Sequence, residues 1–146
     1  MYHFNVRVYG ILTDKENVLV SDEFIKGKHI TKFPGGGLEF GEGLIDCVIR
    51  EFKEELNLKI EVIRHFYTTD FFVTSAFNTK SQVISIYYLV KALDPFAFKT
   101  SEKAFDYVKK EGAQSLRWIP LRELKESNFT FVIDKKVAEL ITEAKL

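Results

Sequence analysis

The chain has little of several features, and each scarcity excludes a class of protein. Cys47 is the only cysteine in 146 residues, which excludes an internal disulfide and a zinc site built from cysteines. It lies in a helical pattern without a nearby His, so we do not expect it to be a nucleophile. Lys plus Arg and Asp plus Glu number 21 each, so no net charge would draw the chain to long nucleic acid or an anionic membrane.

Long apolar runs are also missing. No stretch is long and apolar enough to span a bilayer, and Met1–Val6 lacks the basic start and apolar segment of a signal peptide. We therefore expect a soluble, cytoplasmic protein without a membrane partner. Hydrophobic residues make up 46% of the chain, enough for one core in a protein of this length. With no repeat or linker in sight, we expect a single domain over residues 1–146.

Periodicity and residue type predict an α/β protein. The predicted strands are 4–12, 18–20, 59–66, 82–93 and 116–119, and the predicted helices are 44–56 and 133–144. Phe24–Lys32 is expected to be a loop. Thr100–Lys110 carries a weaker helical pattern within the 94–112 connection, which is long enough to form a lid or side helix. This order of elements predicts an α/β sandwich with a mixed sheet between helices.

A glycine-rich stretch is followed by a helix that carries three carboxylates. Five glycines occur between Gly35 and Gly43, which makes regular structure improbable there and close backbone approach easy. Glu51, Glu54 and Glu55 then lie beside the apolar stripe of the helix, where like charges at this spacing repel one another. Mg²⁺ prefers carboxylate and carbonyl oxygens and would compensate them. On spacing alone, a solvated charged face is the commoner explanation.

The register of these residues resembles the Nudix box. The matching positions are Gly36, Glu42, Arg50, Glu51, Phe52, Glu54, Glu55 and Leu58. Such a match arises by chance in a chain of this length roughly once in 10⁵ to 10⁶. Asn57 stands where the family has Gly, and Asn tolerates the left-handed backbone of a helix end. Segments 33–39 and 116–124 are also similar to the family, so the resemblance spans most of the chain.

The resemblance implies a fold and a chemistry. Nudix enzymes have an α/β/α sandwich fold and hydrolyse a nucleoside diphosphate linked to another group, by water attack assisted by Mg²⁺ or Mn²⁺. By motif position, the metal ligands would be Glu51, Glu54, Glu55 and the backbone carbonyl of Gly35.

Three more residues of the box have implied supporting roles. Arg50 is similar to the box arginine that orients a glutamate through a charge-assisted hydrogen bond. Glu42 and Gly36 would stand behind the ligands, Glu42 as a brace between loop and helix.

The general base is open among several glutamates. Some family members use a glutamate within the box and others use one from a later loop, so Glu55 and Glu111 are both candidates, with Glu102 behind them. Glu111 is preferred to Glu102 because it falls shortly before the strand that contains Trp118. The number of metals is also open.

The expected partner is a small nucleotide or nucleoside-diphosphate derivative. No signature separates nucleoside triphosphates, ADP-ribose, dinucleoside polyphosphates and capped RNA, although the neutral charge argues against long RNA. A homodimer is left open. One alternative is a Nudix-like module that binds or senses a nucleotide without cutting it, against which the intact Glu54 and Glu55 argue. Another is a different reaction, such as diphosphate isomerisation, which no additional Cys or metal-binding His supports.

Overall fold

The structure is a computed structural model that describes every residue from Met1 to Leu146. Its strands are β1 His3–Leu12, β2 Asn17–Ile25, β3 Lys28–Lys32, β4 Gly35–Gly37, β5 Ile60–Thr68, β6 Ser81–Ala92 and β7 Gln114–Pro120. Its helices are α1 Leu44–Leu56 and α2 Val132–Ala144, and two short 3₁₀ turns span Leu121–Glu123 and Glu126–Asn128. The chain divides into two compact units, one of residues 1–12 with 34–98 and one of residues 13–33 with 99–146. A single domain over 1–146 stays a prediction.

The first unit holds a four-stranded mixed sheet and α1. Its strand order is β4-β1-β6-β5, in which β1 and β6 are parallel and the other neighbours antiparallel. The ring of Phe52, fully buried on α1, packs against Gly10 of β1, where a Cβ would lie 2.5 Å from the ring. This contact seats the helix on the sheet, because any side chain at Gly10 would push the ring away.

The second unit holds a three-stranded antiparallel sheet, of order β3-β2-β7, and α2. Asp22 of β2 is fully buried and accepts hydrogen bonds from Arg117 Nε at 2.9 Å and Nη2 at 3.0 Å, and from the Thr31 hydroxyl at 2.7 Å. A buried charge needs such partners to offset its lost hydration. The ion pair joins β2 to β7, and the hydrogen bond from Thr31 joins β2 to β3.

Most predicted elements are confirmed, and two glycine-containing segments were predicted wrongly. The helix predicted at 44–56 and the α/β class with a mixed sheet are confirmed. The loop predicted at 24–32 is a hairpin instead, because Lys26 and Gly27 both adopt positive φ, 48° and 78°, as a tight turn between twisted strands requires. The glycines of β4 were expected to be irregular, but they pair with β1, since ladder hydrogen bonds need no side chain.

The helical pattern over Thr100–Lys110 was also wrong, because no helix forms there. The segment is held by contacts from outside itself. The N–H of Phe105, at φ 56°, donates to Asp22 Oδ2 at 3.3 Å, and Tyr107 shares a 2.8 Å hydrogen bond with His29. These distant partners outweigh a weak local preference. Neither helix of the protein is long and apolar enough to cross a membrane.

Candidate active site

The edge strand β4 is held to β1 on both sides of its glycines. Pro34 and Leu38, on either side of β4, each form a 2.9 Å backbone hydrogen bond to β1. The Gly37 carbonyl accepts a hydrogen bond from Arg50 Nη2 at 3.1 Å. Gly35 adopts a φ of 145°, which departs from regular strand geometry, and its carbonyl stays a predicted ligand.

On the helix side of β4, the Glu51 carboxylate lies directly against Gly36. A Cβ at Gly36 would be 2.5 Å from Glu51 Oε1 and 2.6 Å from its Cδ, so only glycine permits this approach. The Glu51 side chain is only 14% exposed. The packing thus brings one predicted metal ligand against the strand that carries another.

Arg50 joins the glutamates of this region through its whole guanidinium. Nε and Nη2 donate to the two oxygens of Glu42 at 2.9 and 2.7 Å, and Nη2 also donates to the Gly37 carbonyl at 3.1 Å. Nη1 lies between Glu51 Oε1 at 3.2 Å and Glu54 Oε2 at 3.1 Å. The Arg50 guanidinium therefore binds the loop through Glu42 and Gly37 and holds two of the predicted metal ligands, Glu51 and Glu54, close together.

This arrangement shifts the ionisation of the clamped pair. The hydrogen bonds from Arg50, followed by that from the Glu39 N–H, lower the pKa of Glu42 to about 2. The hydrogen bond to Glu42 likewise raises the pKa of the Arg50 guanidinium. Both groups stay charged at neutral pH, so the brace is permanently formed there.

Glu42→Gln is expected to reveal this shift as a pH-dependent loss of stability. A carboxyl whose pKa is lower in the folded than in the unfolded chain contributes stability above the usual value of 4.5, and that contribution is lost as pH falls toward about 2. The difference in free energy of unfolding between wild type and variant should therefore be constant above pH 5 and shrink below it. Urea titrations between pH 3 and 7 would measure it. Glu61→Gln, which removes an exposed carboxylate paired with Lys91, is the control. If the difference in free energy of unfolding between wild type and Glu42→Gln did not change with pH, the lowered pKa of Glu42 would be contradicted.

The remaining predicted ligands, Glu54 and Glu55, differ in environment. The Glu54 side chain is 58% exposed. Glu55 is half-buried, and its Oε2 is a buried atom that accepts no hydrogen bond, although the residue makes other contacts. No three His, Cys, Asp or Glu side chains converge as a ready set of metal ligands. At this site the Nη1 atom of Arg50 lies between the carboxylates of Glu51 and Glu54.

The residues nevertheless fit a hard divalent cation. Every predicted donor is a carboxylate or carbonyl oxygen, the type that Mg²⁺ and Mn²⁺ prefer. Glu51 and Glu54 already share one positive group, Nη1 of Arg50, so their placement suits a bound cation. The close approach of Glu51 to Gly36 holds one of these donors in place.

Cys47 lies beneath this site and has no features of a nucleophile. It is fully buried, and its Sγ lies 3.5 Å from the Gly37 carbonyl oxygen. Burial, followed by the hydrogen bond to Glu42, raises the pKa of the thiol to about 12. Since the thiolate is the reactive form, this agrees with the sequence interpretation.

The two later glutamates lie in the second unit. Both carboxylate oxygens of Glu111 accept hydrogen bonds from the Lys26 N–H, at 2.8 and 2.9 Å, so this side chain caps the turn of the hairpin. Glu102 lies at a cavity of about 430 Å³ that is also lined by Trp118 and Lys125. Neither position is part of the cluster around Arg50 described above.

Sequence reasoning did not single out two residues of the first unit. Glu39 donates its N–H to Glu42 at 3.0 Å and places its carboxylate 3.7 Å from Arg50. It belongs to the 33–39 segment, so a signal was available. Arg7 lies next to Gly37 across the sheet, which only strand register reveals.

Comparison with known proteins gives a family and a relative. A family model described as NUDIX domain matches residues 1–140. The chain is 32% identical over 139 residues to the Mus musculus protein "Nucleoside diphosphate-linked moiety X motif 6". That match covers 92% of this chain but only 39% of the relative's length.

Several solved structures are similar over nearly the whole chain. A NUDIX hydrolase from Nitrosomonas europaea has a TM-score of 0.71 and 19% identity, with 97% of this chain and 90% of that one covered. An ADP-ribose pyrophosphatase from Streptococcus suis has a TM-score of 0.63 at 20% identity, with 97% and 91% covered. A MutT protein from Methanosarcina mazei has a TM-score of 0.70 at 17% identity, with 99% and 98% covered. At these identities the likeness concerns the fold alone.

Proposed function

Because the chain belongs to the NUDIX domain family, whose model matches residues 1–140, we propose that it is a metal-dependent pyrophosphohydrolase. Its substrate would be a nucleoside diphosphate linked to another group, such as a nucleoside triphosphate or an ADP-ribose-like compound. The observation that carries the proposal is the cluster in which Arg50 joins Glu42, Glu51 and Glu54. The predicted Nudix fold is confirmed by the similarity to solved Nudix structures.

Glu51, Glu54, Glu55 and the Gly35 carbonyl would hold Mg²⁺ or Mn²⁺. Such a cation, when bound, neutralises phosphate oxygens and lowers the pKa of coordinated water. With a cation held there, Arg50 would keep its hydrogen bonds to Glu42 through Nε and Nη2, and its Nη1 would no longer contact Glu51 and Glu54. The hydrogen bonds to Glu42 would still join α1 to the loop that precedes it.

The reaction needs a proton acceptor for the attacking water. The water oxygen forms a bond to phosphorus, the phosphoanhydride P–O bond breaks, and the departing phosphate takes the electron pair. We assign the proton from water to Glu55, a half-buried carboxylate on the same helix as the other predicted ligands. Glu111 is the weaker candidate because both of its oxygens already accept hydrogen bonds from Lys26.

Activity is expected to depend on divalent metal, and removal of the metal should abolish it. A panel of nucleoside triphosphates, ADP-ribose, NADH and diadenosine polyphosphates, with Mg²⁺ or Mn²⁺, would be assayed for released phosphate, pyrophosphate and monophosphate. At least one compound should be turned over, and excess EDTA should reduce the rate to background until metal is restored. Glu143→Gln, an exposed change on α2, should leave the rate unchanged.

Calorimetric measurement of nucleotide binding can contradict the proposal that the protein is a hydrolase. Retained binding of nucleotides without turnover of any compound would replace the hydrolase by a binding or sensing module. Cytoplasmic location and a homodimer stay predictions from the sequence.

A further inference from the structure

Phe40 lies at the tip of a tight turn between β4 and α1. The Glu42 N–H donates to the Glu39 carbonyl at 3.3 Å, and Gly41 adopts φ 96° at the third position of this turn. A positive φ at that position is typical of a type II turn and favours glycine. The backbone of the turn therefore requires Gly41 but does not require an aromatic side chain at Phe40.

The Phe40 side chain contributes nothing to the core. It is fully exposed, whereas Phe33 and Phe52, the phenylalanines before and after it in the chain, are fully buried. A Cβ placed on Gly41 would meet no atom within 4 Å, so the space next to Phe40 is open as well. The ring is therefore available to a molecule from solution.

The turn that carries Phe40 is fixed to the carboxylate helix. The Glu39 N–H donates to Glu42 Oε1 at 3.0 Å, and the two Glu42 oxygens accept hydrogen bonds from Arg50 at 2.9 and 2.7 Å. The Glu39 carboxylate lies 3.7 Å from Arg50 Nη1. Both ends of the turn thus contact α1, and a ring on a turn held in this way loses little freedom when it contacts a ligand.

Phe40 also lies at the edge of the predicted metal site. Arg50 Nη1, which contacts Glu39, lies 3.2 Å from a Glu51 oxygen and 3.1 Å from a Glu54 oxygen. Only Glu39 and Arg50 therefore stand between Phe40 and two of the predicted ligands. An exposed aromatic ring is thus held beside the place where the phosphates of a substrate would bind.

We propose that Phe40 is a substrate-binding residue whose ring stacks on the base of a nucleotide that has its phosphates at Glu51 and Glu54. The assignment rests on the proposed function and deepens it, since it makes the base, and not the phosphates alone, a determinant of affinity. Every nucleobase has a π-face, so stacking on an aromatic side chain tolerates any base. The contact therefore favours substrates that carry a base over ring-free phosphates, without selecting among bases.

Calorimetry with a matched pair of non-hydrolysable probes tests this contact in the presence of Mg²⁺. α,β-Methylene-ADP and methylenediphosphonate share the same bridged pair of phosphorus groups, and only the first carries a base. Phe40→Ala is expected to bind α,β-methylene-ADP roughly five- to a hundredfold more weakly than wild type, the range for loss of a stack between base and aromatic ring. Its affinity for methylenediphosphonate should equal that of wild type.

Two conservative variants separate stacking from general apolar contact. Phe40→Leu keeps an apolar side chain without a ring and should lose about as much affinity for α,β-methylene-ADP as Phe40→Ala. Phe40→Tyr keeps the ring and should stay within about threefold of wild type. This comparison decides the question even where methylenediphosphonate binds too weakly to be measured.

Phe72→Ala is the matched control, because Phe72 is another phenylalanine of the first unit with a largely exposed side chain, at 72%. It should alter neither affinity, and every variant should melt at the temperature of wild type. Unchanged affinity in Phe40→Ala, a loss in Phe40→Tyr equal to that in Phe40→Leu, or equal losses for both probes would each overturn the proposal. Absence of α,β-methylene-ADP binding to wild type would overturn it as well.

Turnover distinguishes the failure of this assignment from the failure of the proposed function. If no compound of the substrate panel is turned over but binding of α,β-methylene-ADP depends on the ring at Phe40, the hydrolase proposal fails and the stacking site stands. If a compound is turned over and Phe40→Ala binds α,β-methylene-ADP like wild type, the hydrolase proposal stands and the stacking site fails.

Discussion

Glu55→Gln is expected to lower kcat by about two to four orders of magnitude, the usual contribution of a positioned general base. Gln keeps the size of the side chain and removes its ability to take a proton. The fold should survive, because the apolar residues that seat α1, such as Phe52, are untouched. Steady-state kinetics on the best substrate of the panel, with circular dichroism as the check on folding, would measure the effect.

The pH profile separates a base from a metal ligand. If Glu55 takes the proton, Glu55→Gln removes the acidic limb of the kcat profile, and excess Mn²⁺ does not restore the rate. If it acts as a ligand only, the acidic limb remains and excess Mn²⁺ restores the rate. Glu111→Gln is the rival variant and should leave kcat within about threefold, because a neutral amide still accepts a hydrogen bond from the Lys26 N–H. If kcat fell strongly in Glu111→Gln and stayed near the wild-type value in Glu55→Gln, Glu111 would be the general base instead.

The box helix was predictable because several independent signals coincide there. The apolar residues between Leu44 and Leu56 repeat with helical period, and the residue after the last turn tolerates a left-handed backbone. Asn57 indeed adopts φ 50° and its N–H closes the helix on the Lys53 carbonyl. Local preference and packing agree in this segment, so the sequence was sufficient.

The network around Arg50 was not predictable in its detail. The motif indicates that Arg50 orients a glutamate, but Glu42, Glu51 and Glu54 are all compatible partners. Which nitrogen meets which oxygen depends on the turn at Glu39, whose N–H also donates to Glu42. The sequence therefore supplied the participants, and the loop geometry determined their pairing.

The errors occurred where distant contacts decide the structure. Lys26 is an unusual residue for positive φ, so the hairpin had no clear turn signal. Its conformation is supported by the Glu111 carboxylate, 85 residues along the chain. Around Phe105, a hydrogen bond from its N–H to Asp22 likewise outweighs the weak helical preference of the local sequence. Neither contact has a counterpart in local sequence preference.

The position of Arg50 bears on the proposed metal site. Its Nη1 lies 3.2 and 3.1 Å from oxygens of Glu51 and Glu54, so these two carboxylates would have to give up Nη1 in order to hold a cation. Arg50 would still be attached to Glu42 by its other two nitrogens, and would therefore keep α1 joined to the preceding loop.

Gly36→Ala is expected to weaken Mn²⁺ binding by roughly ten- to a hundredfold, the range for changes that misorient a metal ligand. The new Cβ would lie 2.5 Å from Glu51 Oε1, closer than any stable contact. The clashing atoms are the end of a flexible side chain, so Glu51 swings away and the fold survives with a modest loss of stability. The Glu51 carboxylate then loses its hydrogen bond with Arg50 and moves away from the position from which it would bind metal.

Gly37→Ala is the matched control on the same strand, measured by Mn²⁺ calorimetry and thermal melting. Its Cβ meets only Arg7 Nη1, at an ordinary contact distance of 3.7 Å, and it lies on the face of β4 away from Glu51. Metal affinity should therefore stay close to that of wild type in Gly37→Ala and fall in Gly36→Ala. Equal affinity in both variants would mean that Glu51 is not a metal ligand. An equal fall in both would mean that any side chain on β4 disturbs the site, and the specific contact between Gly36 and Glu51 would lose its role.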